Sequence, residues 1–159
     1  MVIAVISDTH KYSSIVERVL ESIKDADMVI HLGDVVQDAE YIAKHFKGET
    51  IYVSGNCDMD SFVPSERTEI IEGKKVFITH GHNYHVKEGL LKLKYKAEEI
   101  GADIVLYGHT HLSLIQYYGE VLFINPGSPS ICREGQNSVA IIEINNGEVN
   151  ATIRSIIVK

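Results

Sequence analysis

Seven side chains able to bind a metal ion recur along this sequence: Asp8 and His10, Asp34, Asn56, His80, and His109 with His111. Two carboxylates, four imidazoles and one amide oxygen exceed what a single ion of ordinary coordination requires. The number suits two ions sharing one carboxylate. An all nitrogen and oxygen donor set favours manganese, nickel, iron, zinc or cobalt over soft thiolate sites. Two such ions about 3.5–4 Å apart can stabilise both the attacking and the departing oxygen of an in-line phosphoryl displacement.

Each piece taken alone has an ordinary explanation. Asp8-Thr9-His10 after a strand reads as a turn in which Asp caps backbone N–H groups. Gly33-Asp34 and Gly55-Asn56 are common turn chemistry. Thr79-His80-Gly81-His82 and Gly108-His109-Thr110-His111 are harder to explain so, because clustered histidines contribute little to packing. The signal lies in all five pieces, in order, each closing an apolar run.

Those runs are the elements that must position the donors. VIAVIS leads to Asp8, MVIHLG to Asp34, TIYVSG to Asn56, KVFIT to His80 and DIVLYG to His109. Short continuous apolar runs without strict alternation suit strands covered on both faces. In open α/β sheets ligands gather beyond the carboxyl ends of strands, so strands of one sheet would bring these residues to one rim. His10 and His111 join them by i, i+2 spacing, which in an extended segment places a pair on one side.

Helical patterns separate the first three runs, which predicts βαβ units with a parallel sheet. Ser14-Ile15-Val16-Glu17 reads as a capping box opening a helix with Val16, Val19, Leu20 and Ile23 on one stripe. Asp38 is the cap expected for a second helix carrying Ile42 and Phe46. A third is predicted over 86–100, with Leu90, Leu93, Ala97 and Ile100 on a stripe and Gly101 as its stop. Hairpins are expected around Glu72-Gly73, Tyr118-Gly119 and Asn145-Asn146-Gly147. No linker or repeat divides the chain, so residues 1–159 read as one α/β domain whose last third is mostly antiparallel β.

Composition narrows the function. A net charge of −7 argues against long nucleic acid or an anionic membrane as a partner, and no run approaches the ~18 apolar residues of a membrane span. The start MVIAVISDTH carries no secretion signal, which predicts a cytoplasmic protein. Cys57 and Cys132 form no CxxC pair and read as two free thiols in a reducing compartment. The apolar, tyrosine-bearing hairpin 114–123 could form a homo-oligomer interface.

Asp8-x-His10, Gly33-Asp34, Gly55-Asn56, His80-Gly81 and Gly108-His109-x-His111 together resemble the ordered motifs of the calcineurin-like metallophosphoesterase superfamily. The chain length, Thr79-His80-Gly81-His82 and Asn125-Pro126-Gly127-Ser128 resemble its small single-domain prokaryotic phosphodiesterase branch, which is similar to the retromer scaffold subunit. The resemblance implies a four-layer α/β/β/α sandwich of two mixed sheets flanked by helices. It also implies one metal held by Asp8, His10, Asp34 and His111, and a second by Asp34, Asn56, His80 and His109. Asp34 would bridge, and a hydroxide between two divalent ions, manganese foremost, would attack a small phosphodiester. The alternatives are a non-enzymatic scaffold on the same fold, which has no need of all seven donors, and a nuclease.

The sequence departs from the family at Gly55-Asn56-Cys57-Asp58, where many members carry His in place of Cys57. A thiol near its reference pKa of about 8.5 puts no positive charge on phosphate at neutral pH. His82 is the nearest residue to take over phosphate contact, and Cys57 itself reads equally as a small, buried spacer. A preference for monoanionic diesters follows, with rates falling steeply as leaving-group pKa rises. His31 reads as a packed residue bonded to a neighbour, His45 as solvent-facing, and His85 as the opening of the third helix. Asn125 and Ser128 are candidates to orient a metal-binding histidine through hydrogen bonds. Arg133 is a candidate substrate contact, and loops 62–66 and 84–87 are expected to shape the pocket.

Overall fold

Strand β1 (Val2–Ile6) is apolar throughout because it is covered twice. Ile3 and Val5 face a second sheet, whereas Ala4 and Ile6 face helices, so alternate residues enter two different cores. The computed structural model describes residues 1–10, 13–131, 133 and 135–157. Cys132 lies outside the described residues, and Cys57 is an exposed free thiol in the loop after β3, not the buried spacer expected of it.

In the first sheet β1 lies between β2 (Met28–His31) and β9 (Ser138–Asn145), with β3 (Glu49–Tyr52) and β10 (Glu148–Ser155) at the edges. The β1–β2 and β2–β3 pairs are parallel and are connected through α1 (Ser13–Ser22) and α2 (Val36–His45), as the βαβ reading requires. The second sheet runs β4 (Glu66–Ile71), β5 (Lys74–Thr79), β6 (Ile104–Leu106), β8 (Val121–Pro126), β7 (Ser113–Tyr118). Its β5–β6 and β6–β8 pairs are parallel, and its outer pairs antiparallel.

Three buried layers follow from this order. Val5, Ile30 and Ile51 meet Ile78, Leu106 and Ile124 between the sheets. Ala4, Ile6 and Val29 meet Val16, Val19 and Ile42 of α1 and α2. On the far side Phe77, Val105 and Phe123 meet Leu93 and Ala97 of α3 (Leu91–Ile100). The result is the four-layer α/β/β/α sandwich, with two mixed five-stranded sheets and, among the described residues, three α-helices. Truncating a side chain such as Leu106, which is 0% exposed between the sheets, should cost about 2–5 kcal/mol. No helix among the described residues is long and apolar enough to cross a membrane.

The three hairpins form where expected. At Glu72-Gly73 and Asn146-Gly147 both residues have positive φ (49° and 78°, 51° and 82°), the backbone that matches a two-residue turn to strand twist. Helix starts differ from the sequence reading. Helix α1 begins at Ser13, so Ser14 lies inside the first turn instead of capping it. In α2 the cap position is Val35, which offers no side-chain bond, and Asp38 sits in the first turn. Helix α3 starts at Leu91, five residues later than the apolar stripe suggests. A 3₁₀ turn at His82–Tyr84, His85 at φ 52° and Gly89 at φ 141° occupy the intervening chain. Val86 is buried there without being helical, which is why periodicity alone extended the helix.

Candidate metal centre

The donor residues do not lie on one sheet. Asp8, Asp34 and Asn56 follow β1, β2 and β3 of the first sheet, whereas His80 and His109 follow β5 and β6 of the second. Backbone bonds stitch each set internally: the Asp8 N–H donates to the Gly33 carbonyl at 3.0 Å, and the Gly108 N–H to the His80 carbonyl at 2.9 Å. Side-chain bonds then join the sets. The His109 N–H donates to Asp8 Oδ2 at 3.1 Å, and His80 Nδ1 lies 2.8 Å from the Leu32 carbonyl oxygen.

Two groups of potential ligands result. Asp8, His10 and His111 form one, and Asp34, His80 and His109 the other, with ligand atoms inside each group within 4.8 Å of one another. In the first, His111 Nε2 is 3.1 Å and His10 Nε2 3.7 Å from Asp8 Oδ1. In the second, His80 Nε2 is 3.3 Å from Asp34 Oδ2 and 3.2 Å from His109 Nδ1. His80 Nε2 also lies 3.7 Å from Asp8 Oδ1, so the two groups adjoin through it. Asn56 is exposed at the rim, its Nδ2 3.8 Å from Cys57 Sγ.

The tautomer of His80 makes this arrangement chemically pointed. A carbonyl oxygen only accepts, so Nδ1 carries the proton that bonds Leu32, and a neutral ring then turns an unprotonated Nε2 toward Asp34 and His109. Acceptors facing acceptors in a buried site are stable only with a proton or a cation among them. The residues therefore fit bound metal: hard carboxylates and imidazoles converge, and the reach of His80 is set by its bond to the Leu32 carbonyl outside the group.

Backbone conformation concentrates here. Eight described non-glycine residues have positive φ, and five of them are Asp8 (59°), His10 (53°), Asp34 (47°), His109 (70°) and His111 (59°). Each such residue costs of order 1–3 kcal/mol and persists where surrounding bonds over-determine it. The extended alternation expected of the two His pairs is thus absent. The chain turns sharply at both residues of each pair, and His109 and His111 enter different groups. Two glycines owe their place to close approach. A Cβ on Gly55 would stand 2.1 Å from Asp34 Oδ1, and one on Gly108 would stand 2.0 Å from Ser7 Oγ and 2.9 Å from Asp8 Oδ2.

Electrostatics keep both carboxylates ionised. Burial alone would raise Asp8, but His10 at 3.7 Å, the bond to His111, a proton on His80 and the Ser7 hydroxyl at 2.5 Å hold it far below the usual carboxylate range. Burial opposes ionisation of Asp34 too, yet His80 and the Cys57 N–H at 2.9 Å bring it down to about 2. Asp34 in turn helps raise His80 against the effect of burial. Burial, then His80, lowers His109 to about 4, and the same causes lower His82. The Cys57 thiol is pushed up to about 11 by burial and by Asp34, so it is neutral at physiological pH.

Supporting residues fall into place around the groups. His31 is fully buried, with Nδ1 3.2 Å from the Gly33 N–H and Nε2 3.2 Å from Thr9 Oγ1, so it braces both turns. Burial drops its pKa to about 4 and keeps it neutral. Asn125 Nδ2 donates to the Gly108 carbonyl at 3.2 Å and Thr110 Oγ1 at 3.0 Å, and Ser128 Oγ to the Asp8 carbonyl at 2.9 Å. These two residues hold the turns that carry the histidines, not an imidazole directly. His82 is part-buried beside the second group, its ring 5.4 Å from that of His80, with Nδ1 buried and without a hydrogen-bond partner among the described residues. His45 is exposed and bonded to the Tyr41 carbonyl. Arg133 is exposed, and its N–H donates to the His111 carbonyl at 3.4 Å.

Asp58 is the residue that motif reading undervalued. Its Oδ2 accepts from the Asp34 N–H at 3.0 Å and the Gly55 N–H at 2.8 Å, and its Oδ1 from the Val36 N–H at 2.9 Å. It therefore caps α2 from another loop and fixes the backbone of Asp34. The local signal was its place three residues after Gly55, where its own N–H closes a turn onto the Gly55 carbonyl at 3.1 Å.

Beside the two groups, a cleft of about 990 Å³ opens between the start of α2 and the loop joining β3 to β4, with Asn56 and Cys57 in its wall. Phe62, Val63 and Pro64 line it, as expected of that loop, whereas no residue of 84–87 does.

Residues 1–147 match the calcineurin-like phosphoesterase superfamily domain. The chain therefore belongs to that superfamily. It is 31% identical over 158 residues to a probable metallophosphoesterase of Methanothermobacter thermautotrophicus, covering 96% of this chain and 91% of the relative. It is 29% identical over 171 residues to phosphodiesterase MJ0936 of Methanocaldococcus jannaschii, covering 93% and 96%. Among solved structures, an uncharacterised Streptococcus pneumoniae protein described as a predicted phosphoesterase superposes with a TM-score of 0.83 at 31% identity, covering 97% of this chain and 88% of that one. Vps29 of Entamoeba histolytica shares the fold at 21% identity, with a TM-score of 0.78 and 98% and 99% covered.

Proposed function

We propose that this member of the calcineurin-like phosphoesterase superfamily is a divalent-metal-dependent phosphodiesterase acting on small diesters. The observation that carries the reading is the pair of adjoining carboxylate and histidine groups, Asp8/His10/His111 and Asp34/His80/His109, drawn from both sheets. Relatives named metallophosphoesterase and phosphodiesterase at about 30% identity support it. When bound, two divalent ions would offset phosphate charge and bring a water pKa from about 15.7 toward 7.

The chain's own residues supply the rest. Asp8, His10 and His111 would hold one ion, and His80, His109 and Asn56 the other, with Asp34 shared. The Leu32 carbonyl keeps the His80 proton on Nδ1 and leaves Nε2 free to bind. The Cys57 N–H fixes one Asp34 oxygen and leaves the second turned to His80. His82, whose ring lies 5.4 Å from that of His80, would contact phosphate, a role the neutral Cys57 thiol cannot fill with charge. Water adds to phosphorus, one P–O bond breaks, and a monoester and an alcohol leave. Manganese is the foremost candidate ion, and nickel, iron, zinc or cobalt suit the donors as well.

Manganese-reconstituted protein should hydrolyse bis(4-nitrophenyl) phosphate, and both chelation and Asp34→Asn should abolish the activity. A folded, metal-loaded protein without diesterase activity would favour a non-enzymatic scaffold. That alternative has no use for two intact donor groups.

A further inference from the structure

We infer that the cleft beside the donor groups receives an organic arm of the diester and selects one that is flat and uncharged. The inference rests on the phosphodiesterase reading and concerns which diester is taken.

Position is the first support. The cleft shares Asn56 and Cys57 with the rim of the centre, and Cys57 bonds Asp34 through its backbone. A phosphate held at the two donor groups therefore has this space, about 990 Å³, beside it. That volume falls in the range of about 300–1,000 Å³ typical of small-molecule sites.

The lining is the second support. Phe62 is 105% and Met59 89% exposed, and both border the cleft with Tyr52 and Pro64. An aromatic ring and a thioether left in water beside a cleft are suited to cover a planar group, because every aromatic or nucleobase face can stack on them.

Charge is the third. Glu40 and Asp60 line the cleft as exposed carboxylates. Among the described residues lining the cleft the one Lys or Arg is Arg67, and it is engaged by Glu69, at 2.8 Å through Nε and 2.7 Å through Nη2. An arm carrying a further phosphate would meet two carboxylates, with the Arg67 guanidinium already held by Glu69. Nucleoside or aryl arms without extra phosphate fit, and polyphosphorylated arms and nucleic acid strands do not.

Calorimetric binding of one-armed phosphonates to the manganese-loaded protein separates this from the catalytic reading. Phenylphosphonate should bind roughly tenfold more tightly than methylphosphonate, and Phe62→Ala should erase the difference while leaving methylphosphonate affinity unchanged. Thymidine 5′-monophosphate should bind at least tenfold more tightly than thymidine 3′,5′-bisphosphate, a gap that Glu40→Gln with Asp60→Asn should narrow. Equal affinity for the two phosphonates, or equal weakening of both by Phe62→Ala, overturns the cleft assignment alone. If neither phosphonate binds, the metal-centre reading fails and this one with it.

Discussion

His10 and His111, 101 residues apart in sequence, bring their Nε2 atoms to 3.4 Å of one another beside Asp8 Oδ1. Two neutral imidazoles can share one proton at most, whereas a cation satisfies both lone pairs and the carboxylate together. Divalent metal should therefore stabilise the fold. At about a hundredfold excess over Kd, one occupied site adds about 2.7 kcal/mol, or roughly 5–10 °C in Tm for a chain of this size. Scanning calorimetry with and without manganese checks it, and an unchanged Tm would count against a preformed site.

The split between the groups predicts a split in metal loss. His111→Ala should remove chiefly the ion held with Asp8 and His10, and His109→Ala the one held with Asp34 and His80. Metal analysis should show near one ion per chain in each variant against two in the parent. Loss of both ions in either variant would dissolve the proposed division.

Gly108→Ala should be disruptive well beyond its size. The added Cβ would stand 2.0 Å from Ser7 Oγ, itself 2.5 Å from Asp8 Oδ2, so the Asp8 carboxylate must move. Overpacking of this kind costs about 1–3 kcal/mol, and metal affinity should drop at least tenfold. Urea titration of the apo protein and metal titration of the folded variant read the two effects separately.

Cys57 should set the choice between diesters and monoesters. Its thiol, pushed up to about 11, offers phosphate no positive charge at pH 7. The parent should prefer aryl diesters over aryl monoesters, with rates falling steeply as leaving-group pKa rises. Cys57→Ser should keep the preference, and Cys57→His should raise relative monoesterase activity by about tenfold. A parent that prefers monoesters refutes the assignment.

His31 should make the apo protein acid-sensitive. Its folded pKa of about 4 lies below the unfolded value of 6.5, so its contribution is full above pH 6.5 and is lost as pH falls from 6.5 toward 4. Between pH 7 and pH 5 the loss is about 2 kcal/mol. The stability gap between parent and His31→Gln, measured in chelator, should shrink by that amount. A gap independent of pH would show that His31 is not held neutral by burial.

The sequence by itself determined the strands, their parallel pairing, the three hairpins and the family, because each rests on local order. Apolar runs of strand length need cover on both faces, Asn146-Gly147 permits positive φ, and the donor motifs occur in a fixed sequence. Only the tertiary structure decided how the donors meet. Periodicity cannot say that β5 and β6 belong to a different sheet from β1 and β2, so one rim from two sheets had to be seen. The family resemblance already assigned His109 and His111 to different metals, but spacing alone did not, since left-handed turns at both residues replace the extended chain it suggested. Asp58 makes the same point at a helix end. The N–H groups at the start of α2 are satisfied by a carboxylate 22 residues from Val36, a partner that no local pattern names.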